Sequence, residues 1–171
     1  MLDKVLQHLE QLVSFDTRNP PRKIDSGGIF DYIRTQLPEF HVEVVDHGAG
    51  AVSLFAVRGN PRRVFNVHLD TVPDSPGWSV DPFKLRVDDQ RAIGLGACDI
   101  KGAAACLLAA AQDTRGDAAF LFTSDEEAND PRCIRAFLAS NHGFKEAIIA
   151  EPTHCEAVLA HRGIASVSMR F

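Results

Sequence analysis

The residues with chemical potential begin at His68 and Asp70, two positions apart at the end of an apolar run within residues 64–73. Four more acidic residues, Asp99, Glu126, Glu127 and Glu151, stand at or just after later apolar runs. A histidine that binds a metal is neutral, with its second ring nitrogen donating to a carboxylate, and Asp70 is placed to provide that partner. Each residue also has an ordinary structural use. A histidine at a strand end is ordinarily a satisfied polar residue, Asp99 before its alanine-rich stretch a helix N-cap or first-turn acid, and Glu126–Glu127 part of a solvated loop. Against those uses, crowding Asp125, Glu126 and Glu127 together is unfavourable unless a cation or a catalytic need offsets the repulsion. Glu151 follows Ile148-Ile149-Ala150, and a glutamate buried after such a run needs a partner.

One histidine and several carboxylates, with no Cys-x-x-Cys pair, describe a site for zinc, cobalt or manganese and not a structural cysteine–zinc knot. Shared carboxylates point to two metals. Rival chemistries lack their residues: Gly94-x-Gly96 has no third glycine of a dinucleotide fingerprint, and there is no Walker A loop and no Gly-x-Ser-x-Gly. Cys98 has no histidine base nearby in sequence and is expected to pack.

These groups need a scaffold. The chain has 171 residues, 45% hydrophobic and 24% charged, which fits one globular domain with its own core. A net charge of -5 and a pI near 5.8, with no cluster of Lys and Arg, argue against nucleic acid or an anionic membrane as partner. No apolar run is long enough to span a bilayer, no secretory leader is evident, and four scattered cysteines favour reduced thiols in the cytoplasm.

Leu2, Val5, Leu6, Leu9, Leu12 and Val13 recur at helical spacing and predict an amphipathic helix over residues 3–14. Ile29, Phe30, Ile33 and Leu37 form a second helical stripe, ended by Pro38. Strands are predicted over 42–45, 52–57 and 64–68, a weak hairpin over 84–87 and 91–95, and an alanine-rich helix over 101–114. A buried strand follows over 118–123. Asp130-Pro131 then reads as the N-cap and first position of a helix to about Asn141, with Ile134, Phe137 and Leu138 inward. Residues 146–150 read as another buried strand. Alternating strands and helices with continuous apolar runs predict an α/β fold with a largely parallel sheet, whose ligands lie beyond the carboxyl ends of its strands. His68, Glu126 and Glu151 fall there. Val167, Met169 and Phe171 alternate with polar residues as in a strand, so the sequence is expected to stop inside an element leading to a further domain.

The motifs taken together resemble the M20 family of metallopeptidases and deacylases. The stretches that carry the likeness are residues 66–73, Trp78 with Asp81-Pro82-Phe83, residues 94–102, residues 123–127 and Ala150-Glu151-Pro152-Thr153. The Glu151-Pro152-Thr153 triplet and residues 159–163 point, within the family, to enzymes acting on N-acetylornithine or N-acetylcitrulline. The resemblance implies a zinc-peptidase-like catalytic domain with a mixed, largely parallel sheet and helices on both faces. Residues 1–160 would be its N-terminal part and 161–171 the first strand toward a lid domain, through which the whole protein would form a homodimer. It implies two divalent ions, zinc or cobalt, with His68 and Glu151 on one, Glu127 on the other and Asp99 bridging. Asp70 would orient His68 and Glu126 would be the general base.

The implied reaction is removal of an acetyl group from a small N-acyl amino acid in arginine biosynthesis. The alternatives are another M20 amidohydrolase, such as a desuccinylase or dipeptidase, and a catalytically silent binding module. A further histidine expected on the second metal lies beyond Phe171, since His161 belongs to the strand toward the lid. The 171-residue chain alone is therefore expected to be inactive.

Overall fold

In the computed structural model, which describes residues 1–21, 24–160 and 169, a five-stranded sheet carries helices on both faces. The elements are α1 (Leu2–Ser14), α2 (Ile29–Gln36), β1 (His41–Asp46), β2 (Val52–Arg58), β3 (Arg63–His68), β4 (Arg86–Val87), β5 (Ala92–Ile93), α3 (Gly102–Asp113), β6 (Ala118–Thr123), α4 (Arg132–Ala139) and β7 (Glu146–Ile149). The sheet order is β1-β2-β6-β3-β7, and β4-β5 form a separate small hairpin. β1–β2 and β2–β6 pair antiparallel, while β6–β3 and β3–β7 pair parallel. Four strands thus share one direction and only β2 opposes them, which is the mixed, largely parallel sheet that was expected.

Side chains alternate between the two faces of a strand, and the register sorts them into two cores. Leu54, Ala56, Val67, Phe120 and Phe122 face α1, α2 and α3, where Leu9, Leu12, Val13, Ile29, Phe30, Ile33 and Leu37 close the larger core. Each large aliphatic side chain buried there contributes about 1.5–3 kcal/mol. Val64, Ala119 and Leu121 face the other way, against Ile134 and Phe137 of α4 and against Phe55 and Phe144. The alanines of α3 serve close approach: Ala104, Ala105 and Ala109 are fully buried. Within this apolar layer His8 is buried, one ring nitrogen 2.8 Å from the Tyr32 hydroxyl and the other 3.3 Å from Gln112 Oε1, so α1, α2 and α3 share a polar tie.

Several expectations are corrected. Among the described residues β7 is an edge strand, paired only with β3, and it is exposed rather than buried: Ile148 and Ile149 are 44% and 55% accessible, with none of those residues covering them. Leu138 points outward at 74%, Cys133 takes the buried position, and α4 begins at Arg132, one position later than predicted. Asp130 is not the cap of α4. The Cys133 N–H is instead accepted by the buried Asp125 carboxylate at 2.8 Å, reaching across from the end of β6. Cys98 is exposed and does not pack. The alternating stretch at 167–171 and His161 fall outside the described residues, apart from an exposed Met169.

Candidate metal centre

The carboxyl ends of β3, β6 and β7 lie side by side, and the chain leaves each with a potential ligand. β3 ends at His68, which with Asp70 is buried beneath the surface. Asp99, Glu126 and Glu151 stand exposed around them, with Glu127 half-buried. His68 Nε2 lies 3.1 Å from Asp99 Oδ1 and 3.9 Å from Glu151 Oε1. One ligand atom from each of His68, Asp99 and Glu151 falls within 4.8 Å of the others, and the same holds for His68, Glu126 and Glu127. The four acidic residues expected as metal ligands or base therefore meet around the His68 imidazole. Among the described residues no such set holds both Asp99 and Glu127.

His68 Nδ1 sits 3.0 Å from the main-chain carbonyl of Asp70, to which it donates, so that in the neutral, metal-binding form of the ring the lone pair is on Nε2, facing the acids. The Asp70 carboxylate lies further off, at 3.5 Å, and has other partners. Its two oxygens accept the main-chain N–H groups of Glu126 at 3.3 Å and Glu127 at 2.9 Å, and the Asn19 amide at 3.2 Å. Asp70 thus ties the strand carrying His68 to the loop carrying both glutamates.

That loop divides its residues by direction. The Ser124 hydroxyl accepts the Val52 N–H and donates to the Gly50 carbonyl, each at 2.8 Å, and Asp125 turns inward to α4. Glu126 and Glu127 are left on the open side. Asp99 is presented by a wide turn over residues 97–101, with a cis Asp99–Ile100 peptide. Two glycines permit the turn. A Cβ on Gly96, which has φ +75°, would lie 2.5 Å from the Thr71 side chain, and one on Gly102 would lie 2.6 Å from the Ala97 carbonyl oxygen. Lys101 anchors it from below: fully buried, it donates to the Phe15 carbonyl at 2.9 Å.

The electrostatics follow from this crowding. Burial works to lower the His68 pKa, but the Asp70 carboxylate and carbonyl and the charge of Glu151 outweigh it and hold it at about 9. Glu127 is raised, first by burial and then by Glu126, Asp99 and Asp70, with His68 opposing. Burial pushes the Lys101 ammonium down to about 7 against the attraction of Asp16. Converging carboxylates around one imidazole form an acidic donor set of oxygen and nitrogen, suited to a borderline or hard divalent cation.

The sequence profile of "Peptidase family M20/M25/M40" matches residues 64–163. The chain belongs to this family. This M20 chain is 69% identical, over its whole length and 47% of the relative's, to an N-acetyl-L-citrulline deacetylase of Xanthomonas campestris pv. campestris. It is 32% identical to a succinyl-diaminopimelate desuccinylase of Wolinella succinogenes, across 90% of this chain and 43% of that one. The chain thus spans about half the length of the curated relatives it matches. Its fold is similar to that of human carnosine dipeptidase 1, with a TM-score of 0.72 at 19% identity, covering 87% of this chain and 38% of that one. An M20 metallo-carboxypeptidase from Sulfolobus solfataricus gives 0.66 at 16% identity, covering 85% and 37%.

Sequence reasoning missed Asn19, Ser124, Asp125 and Lys101, which hold the M20 site from behind. Asn19 precedes two prolines, and its partner Asp70 lies 51 positions away, so no local pattern marks its role. No helix among the described residues is long and apolar enough to cross a membrane.

Proposed function

We propose that this chain is the N-terminal part of the catalytic unit of a metal-dependent amide hydrolase that removes the acetyl group from an N-acetylated amino acid, N-acetylcitrulline or N-acetylornithine. The observation that carries this reading is the identity of 69% with an N-acetyl-L-citrulline deacetylase across the whole chain, in a chain whose acidic residues converge on His68. Relatives named as desuccinylases share 32–34%, which favours the deacetylase reading over theirs.

The two groupings around His68 support a reading with two divalent ions, zinc or cobalt. His68 and Glu151 would hold one, Glu127 the other, with Asp99 between them. Bound metal supplies Lewis-acid polarisation of the acyl carbonyl and a water acidic enough to ionise near neutral pH. The chain's own residues do the rest. Glu126, exposed and adjacent to Glu127, accepts the proton of the attacking water and returns it to the departing amine. Asp70 holds Glu126 and Glu127 through their main-chain N–H groups and fixes the His68 tautomer through its carbonyl. The whole protein would act as a cytoplasmic homodimer in arginine biosynthesis, on a small-molecule substrate.

The test is an assay of the full-length, zinc- or cobalt-loaded protein with N-acetylcitrulline, N-acetylornithine and N-succinyl-diaminopimelate. Acetate release, fastest from one of the first two, is the expected result. Faster succinate release would replace the proposal with the desuccinylase reading.

A further inference from the structure

We propose that Asn19 is a positioning residue that sets the spacing between the His68 strand and the Glu126–Glu127 loop, so that the segment after α1 belongs to the working parts of the site. The inference rests on the metal-dependent reading above.

Asn19 is buried, and its amide nitrogen lies 3.2 Å from Asp70 Oδ2 and 3.1 Å from the Ser124 carbonyl oxygen. Both partners only accept, so the nitrogen and not the oxygen of the amide faces them. One side chain therefore clamps the residues just past β3 and just past β6, the two strands whose exits carry His68 and the glutamates. Its own position is fixed by main chain. Residues 17–19 run parallel to the exit of β3, with Asn19 N–H donating to the Thr71 carbonyl at 2.8 Å and Thr71 N–H to the Thr17 carbonyl at 2.9 Å.

The other half of the amide argues that this clamp is not general packing. Asn19 Oδ1 is buried and has no hydrogen-bond partner among the described residues, and neither has the Thr71 hydroxyl. A buried acceptor left unsatisfied costs stability. An apolar side chain of similar size would avoid that cost but could not hold Asp70 and Ser124 together. What the amide achieves is the alignment of Asp70, whose same oxygen also accepts the Glu127 N–H.

The test uses the full-length protein, with zinc affinity measured by chelator competition and steady-state hydrolysis of N-acetylcitrulline. Loss of a partner behind a metal ligand typically lowers affinity or activity about 10–100-fold. Asn19→Ala is expected to weaken zinc binding and lower kcat by about that factor, with KM little changed. Asn19→Asp, which sets an oxygen against Asp70, is expected to lose more. Ile33→Val, a buried change in α2 away from the site, serves as the control for simple destabilisation and is expected to leave both values at wild type. If Asn19→Ala does not accumulate as folded protein, Asn19→Ser is measured in its place with the same expectation. Wild-type zinc affinity and kcat in the Asn19 variants, or equal losses in Ile33→Val, would overturn the proposal. If the wild-type protein binds zinc yet hydrolyses no N-acetyl amino acid, the deacetylase reading fails and the zinc affinities alone decide the role of Asn19.

Discussion

Asp70 accepts the main-chain N–H of Glu127 at 2.9 Å, so a carboxylate that follows one strand holds in place a loop that follows its neighbour. The same carboxylate takes the Glu126 N–H on its other oxygen. An amide cannot reproduce this, because one of its two polar atoms donates and would face a donor. Under the proposed function, Asp70→Asn is therefore expected to lower zinc affinity and kcat of the full-length protein by about 10–100-fold with little change in its circular dichroism. Chelator competition and steady-state kinetics check it, and an unaltered zinc affinity would detach Asp70 from the loop's function.

Glu126 and Glu127 are adjacent but are assigned different work, and the difference is measurable. Glu126→Gln is expected to retain its metal and lose about 10²–10⁴-fold in kcat, the usual contribution of a general base. Glu127→Gln is expected to lose metal from one of the two sites, read by elemental analysis after dialysis. Equal metal loss in both variants would make Glu126 a ligand, as its grouping with His68 and Glu127 allows.

The cap of α4 predicts a contrast in stability. Asp125→Ala removes the buried acceptor of the Cys133 N–H and is expected to cost about 1–2 kcal/mol. Asp130→Ala disturbs a surface pair with Arg132 and is expected to cost less than about 1 kcal/mol. Urea denaturation of the two variants would show the opposite ranking if the local Asp-Pro pattern were the true cap.

The cysteines divide by burial. Cys98, Cys106 and Cys155 are exposed, whereas burial pushes the Cys133 thiol up to about 12. At pH 8 iodoacetamide is expected to modify the first three in the native protein and Cys133 only after unfolding, as mass spectrometry of the peptides would reveal. The sign of the linked pH effect is fixed: the unfolded chain loses this proton near pH 9 and the folded chain near 12. Stability from this group therefore falls between those values, by up to about 1.4 kcal/mol per pH unit, and Cys133→Ala is expected to flatten that slope.

Local pattern sufficed where a residue's role depends on its neighbours in the chain. The spacing of Leu9, Leu12 and Val13 located the buried face of α1, and Ala118 to Thr123 was strand in the structure as in the prediction. It did not suffice where the role depends on a distant partner. The Ile148-Ile149 run has the composition of a buried strand, but burial is decided by what lies over it. Asp130-Pro131 has every local sign of a cap, yet a longer-range acceptor, Asp125, had the better geometry. The candidate ligands were legible because a polar group closing an apolar run is anomalous by itself. Asn19 and Lys101 were not, since a buried amide and a buried ammonium look like ordinary surface residues until the chain has folded over them.

The sheet order has a consequence for how the protein is made. β3 pairs with β6 and β7 and with no earlier strand, and Asn66 donates to a carbonyl 55 positions further along. During synthesis the strand that ends in His68 leaves the ribosome without either neighbour. β1 and β2 can form their hairpin, but β3 must wait until α3 and β6 have emerged, its apolar side chains meanwhile unprotected. Such long-range closure slows folding and exposes the nascent chain to aggregation. The strand at the heart of the candidate centre is thus the one whose completion depends most on the ribosome's progress.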